Sequence, residues 1–138
     1  MSLDLSRAND FDTVVKLALY GITAESGRIP AIAAAADRVR ATPAAVKEAY
    51  LRLRARRLLW LEADSVTVRM APPFSGVPTQ HQVMVDGIEY YANCAWDALA
   101  IPAALHRPGL VRSRCEQSLV PLELYVGSHG PEKNWGQI

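Results

Sequence analysis

The order of apolar and polar residues in the N-terminal part of the chain predicts two helices. Between Asp10 and Tyr20, apolar side chains recur at three- and four-residue spacing, which is the helical period, and Gly21 is the predicted stop. The apolar positions of this first helix are Phe11, Val14, Val15, Leu17 and Ala18. An alanine-rich stretch from Pro30 to about Arg38 predicts a second, short helix with the proline at its first position.

A third helix and a β-hairpin complete the first predicted domain. Thr42 followed by Pro43 is typical of an N-cap and a first helical position, and an apolar stripe continues from there to about Leu58. The stripe consists of Val46, Ala49, Tyr50 and Leu53. Residues 59–61 and 66–70 have the pattern of two short strands around a polar turn. Three helices followed by a hairpin is the order of a winged helix-turn-helix, which we predict for residues 1–72.

Three prolines and two polar clusters mark an irregular connector after this domain. They lie between Ala71 and Gln82, and we place the connector at residues 73–81. Beyond it, the dipeptide Asp86-Gly87 between two apolar runs is a strong signal for a two-residue hairpin turn. The flanking strands are predicted at residues 82–85 and 88–92.

The remaining pattern predicts one more helix and two more strands. Ala95 to Leu105 is apolar and alanine-rich, which favours a helix that Pro102 bends or splits. Strands are predicted at residues 110–113 and 120–126. In the second of these the inward positions are Leu122, Leu124 and Val126. The predicted fold class is therefore α+β, with a small mixed β-sheet domain at residues 82–138 whose helix follows directly on the second hairpin strand.

Composition favours a cytoplasmic globular protein. Half of the 138 residues are apolar and 21% are charged. The longest apolar runs fall far short of the ~20 residues that span a bilayer, and the N-terminus lacks a signal pattern. The two cysteines, Cys94 and Cys115, are too few for a disulfide framework, so both are expected to be free thiols. We expect no membrane association.

Positive charge is concentrated on the third predicted helix. The formal net charge of the chain is +1, yet residues 37–57 contain seven basic and two acidic side chains. Lys47, Arg52, Arg54 and Arg56 would contact phosphates if this helix entered a DNA groove. The competing interpretation is a solvated face whose arginines suit the C-terminal helix dipole. The second is favoured, because groove-reading helices contact bases mainly from their N-terminal part.

Cys94 and Asp97 form the main candidate site. Cys94 follows a predicted strand and opens a predicted helix, and Asp97 lies three residues further on the same face of the first turn. A thiol at a helix N-terminus is favoured as thiolate by the dipole and by unpaired N–H groups, which makes it a candidate nucleophile or soft-metal ligand. The structural alternative is a small buried apolar residue beside an acid at a helix start.

The run from Val85 to Cys115 resembles the core of the organomercurial (alkylmercury) lyases. Its sequence is VDGIEYYANCAWDALAIPAALHRPGLVRSRC. The shared features are a V-D-G hairpin, a tyrosine on the next strand, and C-A-x-D leading into an apolar helix with proline. A looser match covers the predicted winged helix, because that family also carries such a domain ahead of its catalytic part.

The resemblance implies a chemistry for the Cys/Asp pair. In that family the cysteine of C-A-x-D binds mercury as a thiolate, and the aspartate helps to hold the substrate and relays the proton that breaks the carbon–mercury bond. Cys94 and Asp97 occupy those two positions. A thiolate is the soft ligand that a soft metal prefers. The implied ligand is mercury or an organomercurial as substrate, with no separate cofactor.

The family also uses a second catalytic cysteine further downstream, and no cysteine follows Cys115 in these 138 residues. Cys115 matches a position where relatives often carry a cysteine outside the catalytic pair. We therefore expect a short lyase-like protein with reduced or altered activity. Cys115, an added small thiol or a second subunit of a homodimer would supply the other sulfur.

Two alternative functions stay open at this point. One is a winged-helix DNA-binding regulator on a lyase-derived scaffold. The other is a lyase-fold enzyme whose substrate is a different, thiol-reactive molecule.

The histidines and the paired tyrosines are expected to play smaller roles. His81, His106 and His129 are widely spaced, form no metal-ligand pattern with a cysteine, and are predicted to be solvated. Tyr90 and Tyr91 are adjacent on a strand, so at most one of them can face Cys94.

Overall fold

The computed structural model describes residues 5–114, 120–127 and 130–131, and the side chains from Asp10 up to Gly127 within those ranges. The chain divides into two compact units, Met1–Ala71 and Pro72–Ile138. Among the described residues, no helix is both long and apolar enough to cross a bilayer.

The first unit consists of three helices and a short hairpin. The helices are α1 (Leu5–Ser26), α2 (Ile32–Val39) and α3 (Pro43–Ala55), and the hairpin pairs β1 (Trp60–Leu61) with β2 (Val68–Ala71) in antiparallel fashion. This is the element order expected from the sequence, and its identification as a winged helix stays a prediction. The core is formed by buried residues that include Val15, Leu19, Ala35, Ala36, Val46, Ala49, Tyr50, Leu53, Leu59 and Val68.

The predicted end of the first helix and the predicted start of the second were wrong. α1 continues through Gly21 to Ser26, and the helix ends only at Gly27, which has a φ of 78°. The N–H of Gly27 donates to the carbonyl of Thr23 at 2.7 Å, as expected of a glycine just past a helix end. α2 begins after Ala31, so Pro30 precedes the helix instead of opening it.

The start of α3 is as predicted. Thr42 is its N-cap, and the side-chain oxygen accepts the N–H of Ala45 at 3.1 Å, while Pro43 is the first helical residue. The helix ends at Ala55, three residues before the predicted end at Leu58.

The hydroxyl of Tyr50 on α3 is an unusual feature of this core. The side chain is 0% exposed, and the hydroxyl has no hydrogen-bond partner in the part of the chain that the structure describes. Burial raises the pKa of Tyr50 to about 12, because the charged phenolate is disfavoured away from water.

The second unit is a β-sheet with one helix. Its elements are β3 (Phe74–Ser75), β4 (Gln82–Val85), β5 (Ile88–Tyr91), α4 (Ala95–Leu105), β6 (Gly109–Arg114), β7 (Pro121–Gly127) and β8 (Gly130–Pro131). The strand order of the main sheet is β5-β4-β6-β7-β8, and each of these pairs is antiparallel. The expectation of a mixed sheet was therefore wrong for the described strands. β4 and β5 are joined by the two-residue turn at Asp86 and Gly87, and a hairpin of this kind produces an antiparallel pair.

Sequence signals located most of these elements. Asp86 and Gly87 have φ values of 49° and 81°, the left-handed conformation that a two-residue hairpin turn needs. α4 has the predicted bounds, and Pro102 lies within it and is buried. In β7, Val126 is buried as expected, but Leu122 is 45% exposed, so the predicted inward alternation fails at the start of that strand.

α4 packs closely on the sheet at Gly109. A Cβ at that position would lie 2.8 Å from Cγ2 of Val85 and 3.2 Å from Cγ of Pro102. Only a residue without a side chain allows this approach. Ala98, Ile101 and Pro102 are buried in α4, which contacts β4, β6 and β7.

Candidate functional site

The candidate site lies at the N-terminus of α4, where the chain leaves β5. Cys94 is the N-cap, with φ −154° and ψ 175°, and the helix begins at Ala95. Asp97 is the third helical residue and the acid of the first turn. The prediction that Cys94 opens a helix is confirmed, and the side chains of Cys94 and Asp97 are both partly buried.

The sulfur of Cys94 acts as the capping atom of α4. Sγ accepts the backbone N–H of Asp97 at 3.5 Å, in the way that a serine or aspartate oxygen caps other helices. The first N–H groups of a helix lack internal partners and carry partial positive charge, so they favour a negative group at this place. The position suits a thiolate.

The carboxylate of Asp97 is held by Asn93. The Nδ2 atom of Asn93 donates to Oδ2 of Asp97 at 3.1 Å and to the backbone carbonyl of Phe74 at 3.0 Å. The sequence interpretation did not include Asn93. An amide directly before a helix cap is a weak signal, and its second partner lies 19 residues earlier in the chain.

Phe74, which accepts this hydrogen bond, is itself firmly placed. It is 3% exposed, it forms an antiparallel bridge with Ala92, and its ring centroid lies 5.7 Å from that of Tyr90 at an interplanar angle of 40°. Tyr90 is 2% exposed and Tyr91 is partly buried, as expected for neighbours on opposite faces of a strand. Burial raises the pKa of Tyr90 above its ordinary value, because the charged phenolate is disfavoured away from water.

The prediction that His81 is solvated was wrong. His81 is 5% exposed, and its Nδ1 lies 2.6 Å from Oγ of Ser113. Its carbonyl accepts the N–H of Ala92 at 2.8 Å, which extends the pairing of β4 and β5 toward Cys94. His106 is exposed and caps the C-terminus of α4, whereas His129 lies outside the described residues.

Trp96 is a large exposed side chain beside the candidate site. It is 81% exposed and stands between Ala95 and Asp97 in the first turn of α4. Neither the apolar pattern nor the charge pattern singled it out, since a tryptophan in an apolar stretch is usually part of a core.

The metal-ligand candidates are only partly described. Cys94 is a free thiol, while Cys115, the other proposed ligand, lies outside the described residues. Within the described ranges, no group of three or more His, Cys, Asp or Glu side chains could hold a metal ion.

One cavity of the second unit lies away from the Cys94 site. It has a volume of about 650 Å³ and lies at the end of β4, β6 and β7. The residues that line it are Gln80, Gln82, Arg112, Ser113, Arg114, Pro121, Leu122 and Glu123.

The four proposed nucleic-acid contacts differ in their surroundings. Lys47, Arg54 and Arg56 are exposed. Arg52 instead binds Asp12 on α1, with Nη2 donating to Oδ1 at 2.8 Å. The hydrogen bonds from Arg52 to Asp12 raise the pKa of the guanidinium. Arg52 therefore has a structural partner already.

The C-terminal unit is similar to a known protein family. Residues 74–134 match the family model of the alkylmercury lyases, MerB. Over these residues the C-terminal unit is similar to the alkylmercury lyases. The matched region begins at Phe74 and includes Asn93, Cys94 and Asp97, so the three linked residues lie inside it.

Individual relatives agree over a shorter segment. An alkylmercury lyase of Streptomyces lividans is 45% identical over 49 residues, and one of Bacillus cereus is 40% identical over 50 residues. Each match covers 36% of this chain and 23% of the relative. The chain thus matches about a quarter of the length of these curated alkylmercury lyases.

A solved structure extends the similarity to the fold. The crystal structure of the mercury-bound form of MerB2 superposes with a TM-score of 0.65 at 22% identity. The match covers 86% of this chain and 58% of the other. The α+β fold of this chain is therefore similar to that of an alkylmercury lyase.

Proposed function

We propose that this protein binds mercury or an organomercurial through Cys94 and that Asp97 assists protonolysis of the carbon–mercury bond. The observation that carries the proposal is the geometry at the start of α4. The sulfur of Cys94 takes the N–H of Asp97, and the carboxylate of Asp97 is held in the same turn by Asn93. The similarity to the alkylmercury lyases and the fold similarity to mercury-bound MerB2 support it.

Capture of the substrate is the first step of this chemistry. The sulfur of Cys94 forms a bond to mercury and displaces the ligand opposite the carbon, which leaves as an anion. The thiol proton passes to the carboxylate of Asp97. Soft sulfur suits soft mercury, and a metal-bound thiol is deprotonated outright.

Protonolysis is the second step. Asp97 gives the proton to the carbon bound to mercury, and the electron pair of the carbon–mercury bond becomes the new carbon–hydrogen bond. The organic group leaves as a hydrocarbon, and mercury(II) stays on the sulfur of Cys94. One proton, taken from the thiol, is consumed for each carbon–mercury bond that breaks.

A second sulfur would make the carbon more basic and would help to release the metal. Cys115, an added small thiol or a second subunit of a homodimer are the candidate sources. A Cys115→Ser variant assayed over a range of thiol concentrations separates them. A loss of rate that excess thiol restores assigns the sulfur to Cys115, whereas an unchanged rate assigns it to the added thiol or to a partner.

Incubation with phenylmercury and excess thiol tests the proposal directly. We expect benzene at a rate above that of a Cys94→Ser control and, in the absence of added thiol, one more phenylmercury bound per chain than the control binds. Asp86→Asn is a matched control, because it changes an exposed carboxylate of the same unit. Benzene formation equal to that of the Cys94→Ser control would contradict the protonolysis part of the proposal. Phenylmercury binding equal to that of the same control would contradict all of it.

Two alternatives have their own tests. A DNA-binding regulator would use Lys47, Arg54 and Arg56, which are exposed, and duplex binding that weakens steeply with salt would support it. A lyase-fold enzyme for a non-mercurial substrate requires an activated thiol. Labelling of Cys94 by a thiol-selective reagent no faster than that of Cys115 would argue against it.

A further inference from the structure

We infer that Asn93 is a positioning residue that fixes the orientation of the Asp97 carboxylate and leaves one defined carboxylate oxygen for the substrate. The inference rests on the proposed function, and it assigns a role to a residue outside the Cys/Asp pair. The inference follows from the two hydrogen bonds that the side-chain amide of Asn93 donates and from the positions of the two acceptors.

The amide of Asn93 uses both of its protons. The Nδ2 group carries two hydrogens, and the two acceptors are Oδ2 of Asp97 at 3.1 Å and the carbonyl of Phe74 at 3.0 Å. One side chain therefore ties the acid of α4 to the backbone of β3. An amide bound at both hydrogens has little freedom to turn.

The backbone end of this link is rigid. Phe74 is 3% exposed, is bridged to Ala92 and packs on the ring of Tyr90. Ala92 in turn donates its N–H to the carbonyl of His81 at 2.8 Å. The carboxylate of Asp97 is thus anchored to the edge of the sheet as well as to its own helix.

The link determines which oxygen of Asp97 can act. Oδ2 accepts from an amide that has no lone pair to receive a proton, so a proton carried by the carboxyl group sits on Oδ1. The backbone N–H of Asp97 is meanwhile directed at Sγ of Cys94 at 3.5 Å. Without Asn93 the carboxyl group would be free to rotate, and either oxygen could carry the proton away from the bound carbon.

Partners of this kind, which touch a catalytic group and not the substrate, typically contribute roughly 10- to 100-fold to rate or affinity. For Asn93→Leu, which is similar in size and lacks the amide, we expect kcat for benzene release to fall roughly 10- to 100-fold. KM for phenylmercury and the amount bound at Cys94 should stay within about twofold, because the thiol is untouched. Asn93→Ala should likewise lower kcat and leave KM and the amount of bound phenylmercury unchanged.

Arg107→Gln is the matched control. It removes an exposed side-chain hydrogen bond, from Arg107 to Asp86, beyond the other end of α4 in the same unit. The control should keep both kcat and KM, and thermal midpoints report whether each variant is folded. A fall of kcat, KM and bound phenylmercury together in both Asn93 variants would indicate a structural role and would overturn the inference.

A second measurement does not depend on turnover. The measurement is a proton–nitrogen-15 correlation spectrum of the intact protein, which shows the two side-chain amide protons of Asn93. In Asp97→Ala, the chemical shift of the proton that binds Asp97 should move upfield, and that of the proton that binds Phe74 should stay in place. Unchanged shifts of both protons would overturn the inference even if the protein is active. If the wild-type chain releases no benzene while the amide proton shifts, the proposed function fails and the link between Asn93 and Asp97 stands.

Discussion

Arg52 on α3 holds the buried carboxylate of Asp12 on α1 through three hydrogen bonds. Nε donates to both carboxylate oxygens at 3.0 Å, and Nη2 donates to Oδ1 at 2.8 Å. The side chain of Asp12 is 2% exposed, whereas that of Arg52 is 40% exposed. The pair joins α1 to α3 through two residues that are 40 positions apart in the sequence.

Removing Arg52 should destabilise the first unit, because it leaves a buried carboxylate without its cation. Breaking a fully buried pair costs ~3–5 kcal/mol. We expect a smaller loss of about 2 kcal/mol for Arg52→Ala, since part of the arginine remains in water. Urea unfolding measures this change. Arg54→Ala, an exposed arginine on the same helix, should change the free energy of unfolding by less than about 0.5 kcal/mol. Equal effects of the two variants would contradict the prediction.

Two glycine-to-alanine substitutions should have opposite effects on stability. At Gly109 the new Cβ would meet Val85 at 2.8 Å and the carbonyl of Met84 at 3.1 Å, and such overpacking costs about 1–3 kcal/mol. At Gly21, inside α1, the nearest atom would be Nη1 of Arg38 at 3.7 Å, which is an ordinary contact. Alanine there should stabilise by about 0.5–1 kcal/mol, through higher helix propensity. Thermal unfolding of both variants checks the sign, and destabilisation by Gly21→Ala would show that α1 is not a regular helix at that point.

The turn between β1 and β2 should make stability depend on pH in the acid range. The hydrogen bond from the Thr67 hydroxyl, with those from the N–H groups of Val66 and Thr67, lowers the pKa of Asp64. A lowered folded-state pKa means that the stabilisation is present above the ordinary value of 3.8 and disappears as the pH falls through the lowered value.

Asp64→Ala should therefore be less stable than the wild type at neutral pH, and the two should converge in strong acid. Urea midpoints across the pH range measure this difference. Asp64→Asn is the informative control, because its amide oxygen can still accept the two backbone N–H groups and should give an intermediate midpoint. A difference between wild type and Asp64→Ala that is independent of pH would contradict the assigned cause.

Replacing the acid of the candidate site should separate binding from chemistry. Asp97→Asn keeps the backbone N–H that donates to the sulfur of Cys94, but its side chain has no carboxyl proton to give. We expect phenylmercury to bind with unchanged stoichiometry while benzene release falls roughly 10²–10⁴-fold, the usual contribution of a general acid. Gas chromatography of benzene and a mercury assay of the washed protein give the two quantities. Benzene release at the wild-type rate would remove Asp97 from the mechanism.

Local sequence signals predicted the parts of this fold that depend on neighbouring residues. Thr42-Pro43 and Asp86-Gly87 specify a helix start and a hairpin turn through their own backbone preferences, and both are found where expected. Gly21 and Gly27 could each have ended α1. The choice depends on which backbone adopts a positive φ in the folded chain, and that is not encoded in residue type.

The same distinction explains what was found and missed in the candidate site. Cys94 and Asp97 were recognised because their spacing and helix-start position are local properties and because C-A-x-D resembles the motif of the alkylmercury lyases. Asn93 and His81 were missed because their partners, Phe74 and Ser113, are 19 and 32 residues away. Residue identity alone does not indicate that a loop histidine becomes buried or that an amide finds a distant carbonyl.

Among the described residues the hydroxyl of Tyr50 has no hydrogen-bond partner, which implies that the first unit can gain stability by losing a single atom. A buried donor without a partner forfeits its hydrogen bonds to water, so a phenylalanine of the same shape would fit the core better. Natural chains lie above a stability threshold and below their optimum, and an imperfection of this kind can persist by drift as long as folding suffices. A single substitution at Tyr50 would therefore remove an energetic defect without changing the shape of the core.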